Sequence, residues 1–154
     1  MEMPGLTAAH RKLERMVGRW IGEETLHPSP WDAKGGTATG KVTNARALEG
    51  FAVVQDYAQE RGGAVTYRGH GVLRFDPPTG EYVFHWFDSI GSPPNEFRGT
   101  FDGDVLALQQ RSPMGISRAV WTLVGADRYD YRMDVSPDGT AWACFMEGVY
   151  RREG

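Results

Sequence analysis

The stretch from residue 128 to residue 135 reads Arg-Tyr-Asp-Tyr-Arg-Met-Asp-Val, with charged residues at even positions and apolar or aromatic residues at odd ones. Successive side chains of a β-strand point to opposite faces of its sheet, so this alternation predicts a strand with one solvent face and one buried face. We therefore place Tyr131 and Met133 on the buried face.

Similar short runs fill the chain on both sides of this stretch. They are separated by turn signals rich in Gly, Pro, Asp and Ser, at the spacing of roughly 8–12 residues that is typical of antiparallel sandwiches and barrels. The nine breaks lie at 27–36, 49–50, 61–63, 76–80, 89–94, 102–104, 112–115, 125–127 and 136–139. Nine breaks delimit ten strands and leave no room for a βαβ crossover, so strands adjacent in sequence should pair antiparallel. The sequence predicts an all-β, about ten-stranded up-and-down barrel, whose closure removes exposed edges.

A helical signal occurs at the start of the chain. Thr7 can cap a helix, Leu13 and Met16 share one face, and Gly18 stands where a helix would stop. We predict one domain over residues 1–154, in which a helix over about 7–17 closes one end of a barrel over about 18–152.

Charge, hydropathy and cysteine content limit which partners and which cellular location we expect. The net charge is -3, which argues against nucleic acid as a partner. We find no apolar run long enough for a membrane span and no signal-peptide pattern in the first residues, and we expect a cytoplasmic location. Cys144 is the single cysteine, which excludes an intramolecular disulfide and a Cys-rich metal site.

The number of strands makes a prediction about the base of the barrel. With ten strands, the start of the first and the end of the last lie at the same end, so Trp20 should lie beside Arg151 and Arg152. We favour Arg152, which shares a face with Tyr150 and could cover the Trp20 ring in a cation–π contact. The long connections 27–36 and 89–94 then lie at the opposite end, the mouth.

Gly18-Arg-Trp just after a short helix, with Tyr150-Arg-Arg ending the last strand, resembles the calycin superfamily of lipocalins, fatty-acid-binding proteins and nitrobindin-like barrels. The chain looks most like a bacterial calycin-like family of unknown function, in the stretches 18–24 (Gly-Arg-Trp-Ile-Gly-Glu-Glu), 67–71 (Tyr-Arg-Gly-His-Gly), 85–89 (His-Trp-Phe-Asp-Ser) and 147–151 (Glu-Gly-Val-Tyr-Arg). This resemblance implies a barrel that holds one small apolar molecule, in some members haem.

Strand alternation assigns the side chains that face the interior. Gly69 and Gly71 face inward and should leave a space for a ligand, while Cys144 is placed inward together with Met146. Arg118 could face either way; inward, it would pair with a carboxylate or bind a ligand carboxylate. The predicted ligand-binding residues are Glu24, Gln55, Tyr57, Tyr67, Trp86, Asp88, Arg118, Tyr131, Met133 and Met146.

We expect no metal site and no cofactor, because no two histidines have a metal-binding spacing with a carboxylate. Nitrobindin-like barrels hold haem on a histidine late in the chain, whereas no histidine follows His85 here. This departure argues against haem, with Met146, His85 and His70 as the remaining possible ligands.

Three functions remain open. The first is binding of a small, largely apolar metabolite inside the barrel. The second is an acid/base enzyme of isomerase or cyclase type, in which Asp88 or Glu24 moves a proton. The third is a homodimeric interaction module that uses the outward side chains Val83 and Phe87, with His85 beside them.

Overall fold

The computed structural model describes residues 2–154 and contains a closed antiparallel barrel of ten strands in chain order. The strands are β1 (Gly18–Leu26), β2 (Gly36–Ala47), β3 (Ala52–Arg61), β4 (Ala64–Asp76), β5 (Glu81–Asp88), β6 (Asn95–Asp102), β7 (Val105–Ser112), β8 (Gly115–Val124), β9 (Arg128–Ser136) and β10 (Ala143–Arg152). Each pairs with its neighbours in sequence, and β1 pairs with β10. The predicted barrel is confirmed. None of the helices within residues 2–154 has the length and apolar character needed to cross a bilayer.

The predicted N-terminal helix is confirmed over residues 8–16, within one residue of the expected bounds at each end. The α-helical part, α1, covers Ala8–Lys12 and continues as a 3₁₀ turn over Leu13–Met16. Thr7 caps α1, and its backbone N–H donates to Nδ1 of His10 at 3.0 Å. The tighter 3₁₀ turn is a common way to end an α-helix, and here it buries Leu13 and Met16 at the base of the barrel before β1 begins.

The base of the barrel is closed as the sequence predicts. Trp20 lies opposite Arg152 in the β1–β10 register, and the Arg152 guanidinium lies 4.3 Å from the centre of the Trp20 ring. The indole N–H of Trp20 donates to the carbonyl of Met16 at 3.0 Å, which fixes the 3₁₀ turn onto the barrel. Gly18 has φ +138°, and a Cβ at this position would overlap the Arg152 side chain, so both its conformation and the close approach require glycine.

The interior has two different halves. At the base, inward side chains such as Trp20, Leu106, Leu123 and Tyr129 are buried. Toward the mouth, where the connections 27–35 and 89–94 lie, many inward side chains are only partly buried, including Tyr57, Tyr67, Trp86, Asp88, Tyr131 and Met133. The mouth half is therefore less tightly buried than the base, and we call this half of the interior the cup.

Candidate functional site

A buried carboxylate lies at the boundary between the base and the cup. Glu24, on β1, is 2% exposed. The Tyr57 hydroxyl lies 2.9 and 2.7 Å from its two carboxylate oxygens, Gln59 donates to Oε1 at 3.1 Å, and the Tyr150 hydroxyl donates to Oε2. Removing a carboxylate from water is costly unless such charge-assisted hydrogen bonds replace the lost hydration. Three donors from β3 and β10 therefore hold Glu24 in place.

Glycines make room for this cluster. Gly22 on β1 lies opposite Gly40 on β2, and a Cβ at Gly40 would overlap the Glu24 carboxylate, while one at Gly22 would overlap the Tyr150 ring. Gln59 and Tyr150 belong to this cluster but were not among the predicted site residues. The sequence feature that could have indicated this cluster is the pair of inward glycines that face each other on β1 and β2, because they leave room for larger side chains.

The tyrosines around Glu24 remain protonated at neutral pH. Burial raises the pKa of Tyr57 and of Tyr150, and the negative charge of Glu24 raises both pKa values further. Burial also raises the pKa of Tyr131, with Glu24 again adding to the shift. All three hydroxyls can therefore donate a hydrogen bond.

A second polar group lies nearer the mouth. The Tyr67 hydroxyl donates to Asp88 at 3.2 Å and accepts from the indole N–H of Trp86 at 3.1 Å. Asp88 also accepts the backbone N–H of Ser92 at 3.2 Å, which ties the connection 89–94 to the end of β5. Burial raises the pKa of Tyr67 to about 12, so this phenol also stays protonated.

The wall formed by β9 and β10 is apolar with one available hydroxyl. Met133 and Met146 are register partners on these strands, and the Tyr131 ring lies 5.1 Å from Trp121 and 6.5 Å from Tyr150. Within residues 2–154, the Tyr131 hydroxyl makes no hydrogen bond. It is therefore a donor that a bound molecule could use.

The space predicted beside Gly69 and Gly71 is filled by aromatic rings. A Cβ at Gly69 would overlap the Trp86 ring, and one at Gly71 would lie 2.5 Å from the Phe84 ring. Both glycines face inward, as predicted, but they accommodate Phe84 and Trp86 rather than a ligand. A cavity at this position was the wrong interpretation.

Arg118 lies outside the barrel. It pairs in register with Asp134 on the outer face of β9, and its guanidinium lies 4.1 Å from the centre of the Trp142 ring. The alternation that buries Ala119, Trp121 and Leu123 turns Arg118 outward. It therefore cannot neutralise Glu24 or Asp88, and neither carboxylate belongs to any ion pair formed by residues 2–154.

Two further predicted positions differ from expectation. Gln55 faces inward but donates to the side chain of Asn44 at 3.0 Å, and Asn44 donates to the carbonyl of Met16. Gln55 is thus tied to the base.

Cys144 lies opposite the outward residue Asp134, because the β9–β10 register shifts between Cys144 and Met146. The inward placement of Cys144 was therefore wrong.

The outer face of β4, β5 and β6 does not present the expected apolar patch. Val83 is 0% exposed, because it lies between Arg74 and Arg98, which both bind Asp76 at 3.3 Å. Phe87 is 46% exposed. The apolar surface invoked for a homodimer is therefore reduced to Phe87.

The histidines lie outside the cup. His70 pairs with Asp56 on the outer face at 2.8 Å, and His85 accepts a hydrogen bond from Arg74 at 3.1 Å. His10 packs at the base against Phe51 and Phe75, with ring centres 5.0 and 5.3 Å apart, and His27 follows β1 on the outer rim. Within residues 2–154, the cup therefore offers no histidine to a haem iron, and its residues do not fit a histidine-ligated haem.

These features define a closed β-barrel with a sealed base and a tyrosine-rich cup containing two carboxylates. The chain belongs to the family described as "Protein of unknown function (DUF1579)", whose model matches residues 6–152. A search of curated proteins finds no match.

Two solved structures share the fold. Rv2717c from M. tuberculosis superposes with a TM-score of 0.73 at 15% identity, covering 97% of this chain and 100% of that chain. The S-type phycobiliprotein lyase CPES from Guillardia theta superposes with a TM-score of 0.62 at 12% identity, covering 96% of this chain and 94% of that chain. These likenesses show a shared antiparallel barrel fold.

Proposed function

We propose that the protein binds one small, largely apolar molecule in the cup. The observation that supports this most is the contrast between the sealed base and the partly exposed inward side chains near the mouth. Apolar pockets orient their ligands through a few well-placed polar groups. The Tyr131 hydroxyl and the carboxylate of Asp88 are the groups available for that role, with Met133 and Met146 as the apolar wall.

The charge of the cup restricts the ligand further. Glu24 and Asp88 both lie on the inner face, and Arg118 lies on the outer face, so an anionic ligand group would meet like charge with no compensating cation from residues 2–154. Like charges brought together in a partly desolvated site repel strongly. We expect a neutral or cationic molecule with N–H or O–H donors, rather than a fatty acid held by its carboxylate.

The structural neighbours are compatible with this proposal. One of them, a protein of the same fold, is named an S-type phycobiliprotein lyase. At 12% identity this likeness supports the barrel, and the ligand class rests on the charges and donors of the cup.

A pair of related fluorescent probes tests the proposal. N-phenylnaphthylamine is neutral and carries an N–H donor, whereas anilinonaphthalenesulfonate adds an anionic group to a similar skeleton. We expect the neutral probe to bind with a dissociation constant on the order of micromolar and the sulfonate to bind at least about tenfold more weakly. Equal or tighter binding of the sulfonate would contradict the charge argument.

Variants locate the bound probe. Met133→Trp should fill the cup and abolish binding, while Thr100→Trp, on the exposed outer face of β6, should leave it unchanged. Tyr131→Phe should weaken binding without perturbing the fold, and circular dichroism checks that each variant is folded. Unchanged binding in both cup variants would place the probe elsewhere and refute the proposal. Native mass spectrometry of the purified protein would identify a natural ligand that remains bound.

The acid/base enzyme is the second candidate. It is favoured by Asp88, a partly exposed inward carboxylate at the end of β5 with the Tyr67 hydroxyl as a donor. Asp88→Asn should preserve probe binding but abolish conversion of any compound recovered from the cup. Preserved conversion would exclude Asp88 as the acid or base.

A further inference from the structure

A cluster of three possible metal ligands lies on the outer rim of the barrel, away from the cup. His27, Cys144 and Glu147 each offer one ligand atom, and these atoms all lie within 4.8 Å of one another. Nε2 of His27 is 3.4 Å from Oε1 of Glu147, and Sγ of Cys144 is 3.8 Å from Oε2 of the same carboxylate. The spacing of the histidines predicts no metal site, and none of these three residues belongs to the proposed ligand site.

An irregularity in β10 creates this cluster. Residues three apart on a regular strand point to opposite faces, so Cys144 and Glu147 would normally be separated by the sheet. The register shift between Cys144 and Met146 inserts Phe145 as a bulge and turns Cys144 outward, beside Glu147. Bulges commonly re-aim a side chain in this way.

The third ligand is brought in by the first mouth connection. The backbone N–H of His27 donates to the carbonyl of the bulged residue Phe145 at 3.1 Å. This hydrogen bond fixes the end of β1 against the bulge, at the level where Thr25 pairs with Glu147. The ring of His27 then reaches over the outer face of β10.

The imidazole nitrogen that faces the cluster has no hydrogen-bond partner. Nε2 of His27 is shielded from solvent. Among the buried side-chain nitrogen and oxygen atoms of residues 2–154, it is the one without a hydrogen-bond partner. Buried polar atoms are usually satisfied, and an exception can mark an absent ion. The neutral imidazole nitrogen has a lone pair that a cation would accept.

We propose that His27, Cys144 and Glu147 bind a divalent transition-metal ion, with Zn²⁺ as the best match. Zinc accepts nitrogen, thiolate and carboxylate ligands at about 2.0–2.3 Å, and three protein ligands leave a fourth position for water or another ligand. Thiolate and carboxylate together would neutralise the two positive charges. Arg132, whose Nη1 lies 3.5 Å from Oε2 of Glu147, would orient the carboxylate from outside.

Cobalt binding tests the site directly, since Co²⁺ replaces Zn²⁺ and a bound thiolate gives a charge-transfer band in the near ultraviolet. The untagged protein should bind one Co²⁺ per chain with this band, and added Zn²⁺ should remove it. Cys144→Ser should abolish the band, and His27→Gln and Glu147→Gln should each weaken Co²⁺ binding by more than about tenfold. His70→Gln is the matched control, because His70 pairs with Asp56 on the same outer surface without a sulfur ligand.

Stability gives an independent readout that does not depend on absorption. A ligand that binds only the folded state raises its stability, so Zn²⁺ should raise the Tm of the parent and of His70→Gln but not that of folded Cys144→Ser. Absence of the charge-transfer band in the parent, or a Co²⁺ affinity of His27→Gln equal to that of the parent, would overturn the proposal.

Discussion

The contact between Trp20 and Arg152 joins the first strand of the barrel to the last. Trp20→Ala should lower the free energy of unfolding by about 3–5 kcal/mol, because it removes a buried ring that fills the base. Arg152→Ala should cost about 1–2 kcal/mol through the lost cation–π contact and the lost hydrogen bonds from its guanidinium to the carbonyls of Val17 and Ala126. Denaturant unfolding followed by circular dichroism measures both values. Arg151→Ala is the control, since Arg151 faces outward, and a loss there equal to that of Arg152→Ala would contradict the assigned contact.

The tyrosines of the cup differ in what their hydroxyls do. Tyr57→Phe removes a hydrogen bond to a buried carboxylate and should destabilise the protein by about 1.5–3 kcal/mol. Tyr131→Phe removes a hydroxyl that has no partner within residues 2–154 and should change stability by less than about 0.5 kcal/mol in the ligand-free protein. Thermal unfolding of the two variants gives the comparison. Equal losses would mean that the hydroxyl of Tyr57 does not stabilise Glu24.

At the level of structural elements, a charged contact with β3 holds the middle of the connection 27–35 over the mouth. Arg61, at the end of β3, donates to Asp32 at 2.8 Å and to the carbonyl of Gly35 at 3.0 Å. Asp32→Ala should therefore speed amide hydrogen exchange in residues 27–35 and leave exchange in β6 and β7 unchanged. Exchange measured by mass spectrometry tests this, and unaltered protection of the connection would show that other contacts hold it.

The same contact predicts a pH dependence. The hydrogen bond from Arg61 is the main cause that lowers the pKa of Asp32 below its ordinary value. A carboxylate with a lowered pKa stabilises the folded form at pH above its ordinary pKa and loses that contribution as pH falls through the lowered value. The protection of the backbone amides of residues 27–35 from hydrogen exchange should therefore decrease in acid. The Asp32→Ala variant should not show this decrease.

Strand order, strand direction and most inward positions were predictable, because they depend on local alternation and on turn residues. The alternation around Tyr131 and Met133 showed which side of β9 faces inward. The even number of strands placed Trp20 on the first strand beside Arg152 on the last. These predictions need no knowledge of distant side chains. The helix bounds were predicted within one residue at each end, whereas the 3₁₀ geometry of the last turn, which packs on the base, was not.

The errors have a common physical origin in contacts between strands. The rings that occupy the space at Gly69 and Gly71 come from β5, and their orientation cannot be inferred from β4 alone. Val83 is covered by arginines of its two neighbouring strands. The bulge at Phe145 adds one residue to β10, so the inward and outward positions exchange beyond it. Alternation of apolar and polar residues in the sequence does not reveal such an insertion.

For the whole molecule, closure between β1 and β10 should make folding depend on the last strand. A variant truncated after residue 142 would leave unpaired edges on β1 and β9 and expose Leu123, Trp20 and Tyr129 at the base. We expect it to lose the cooperative thermal transition of the full chain. Deletion of residues 2–5, which are exposed and precede the helix, should leave the transition unchanged. A cooperative transition in the truncated variant would show that nine strands form a stable sheet.

The pairing of β1 with β10 also has a consequence during synthesis. Ribosomes add about 5–20 residues per second, so β1 must wait roughly 6–25 s before its partner emerges. During that interval its open edge could pair with other nascent chains. Arg19 and Glu23 on its outer face are exposed, and charges of this kind discourage edge-to-edge association. The same residues that are unremarkable on the finished surface would then protect the chain while it is still being made.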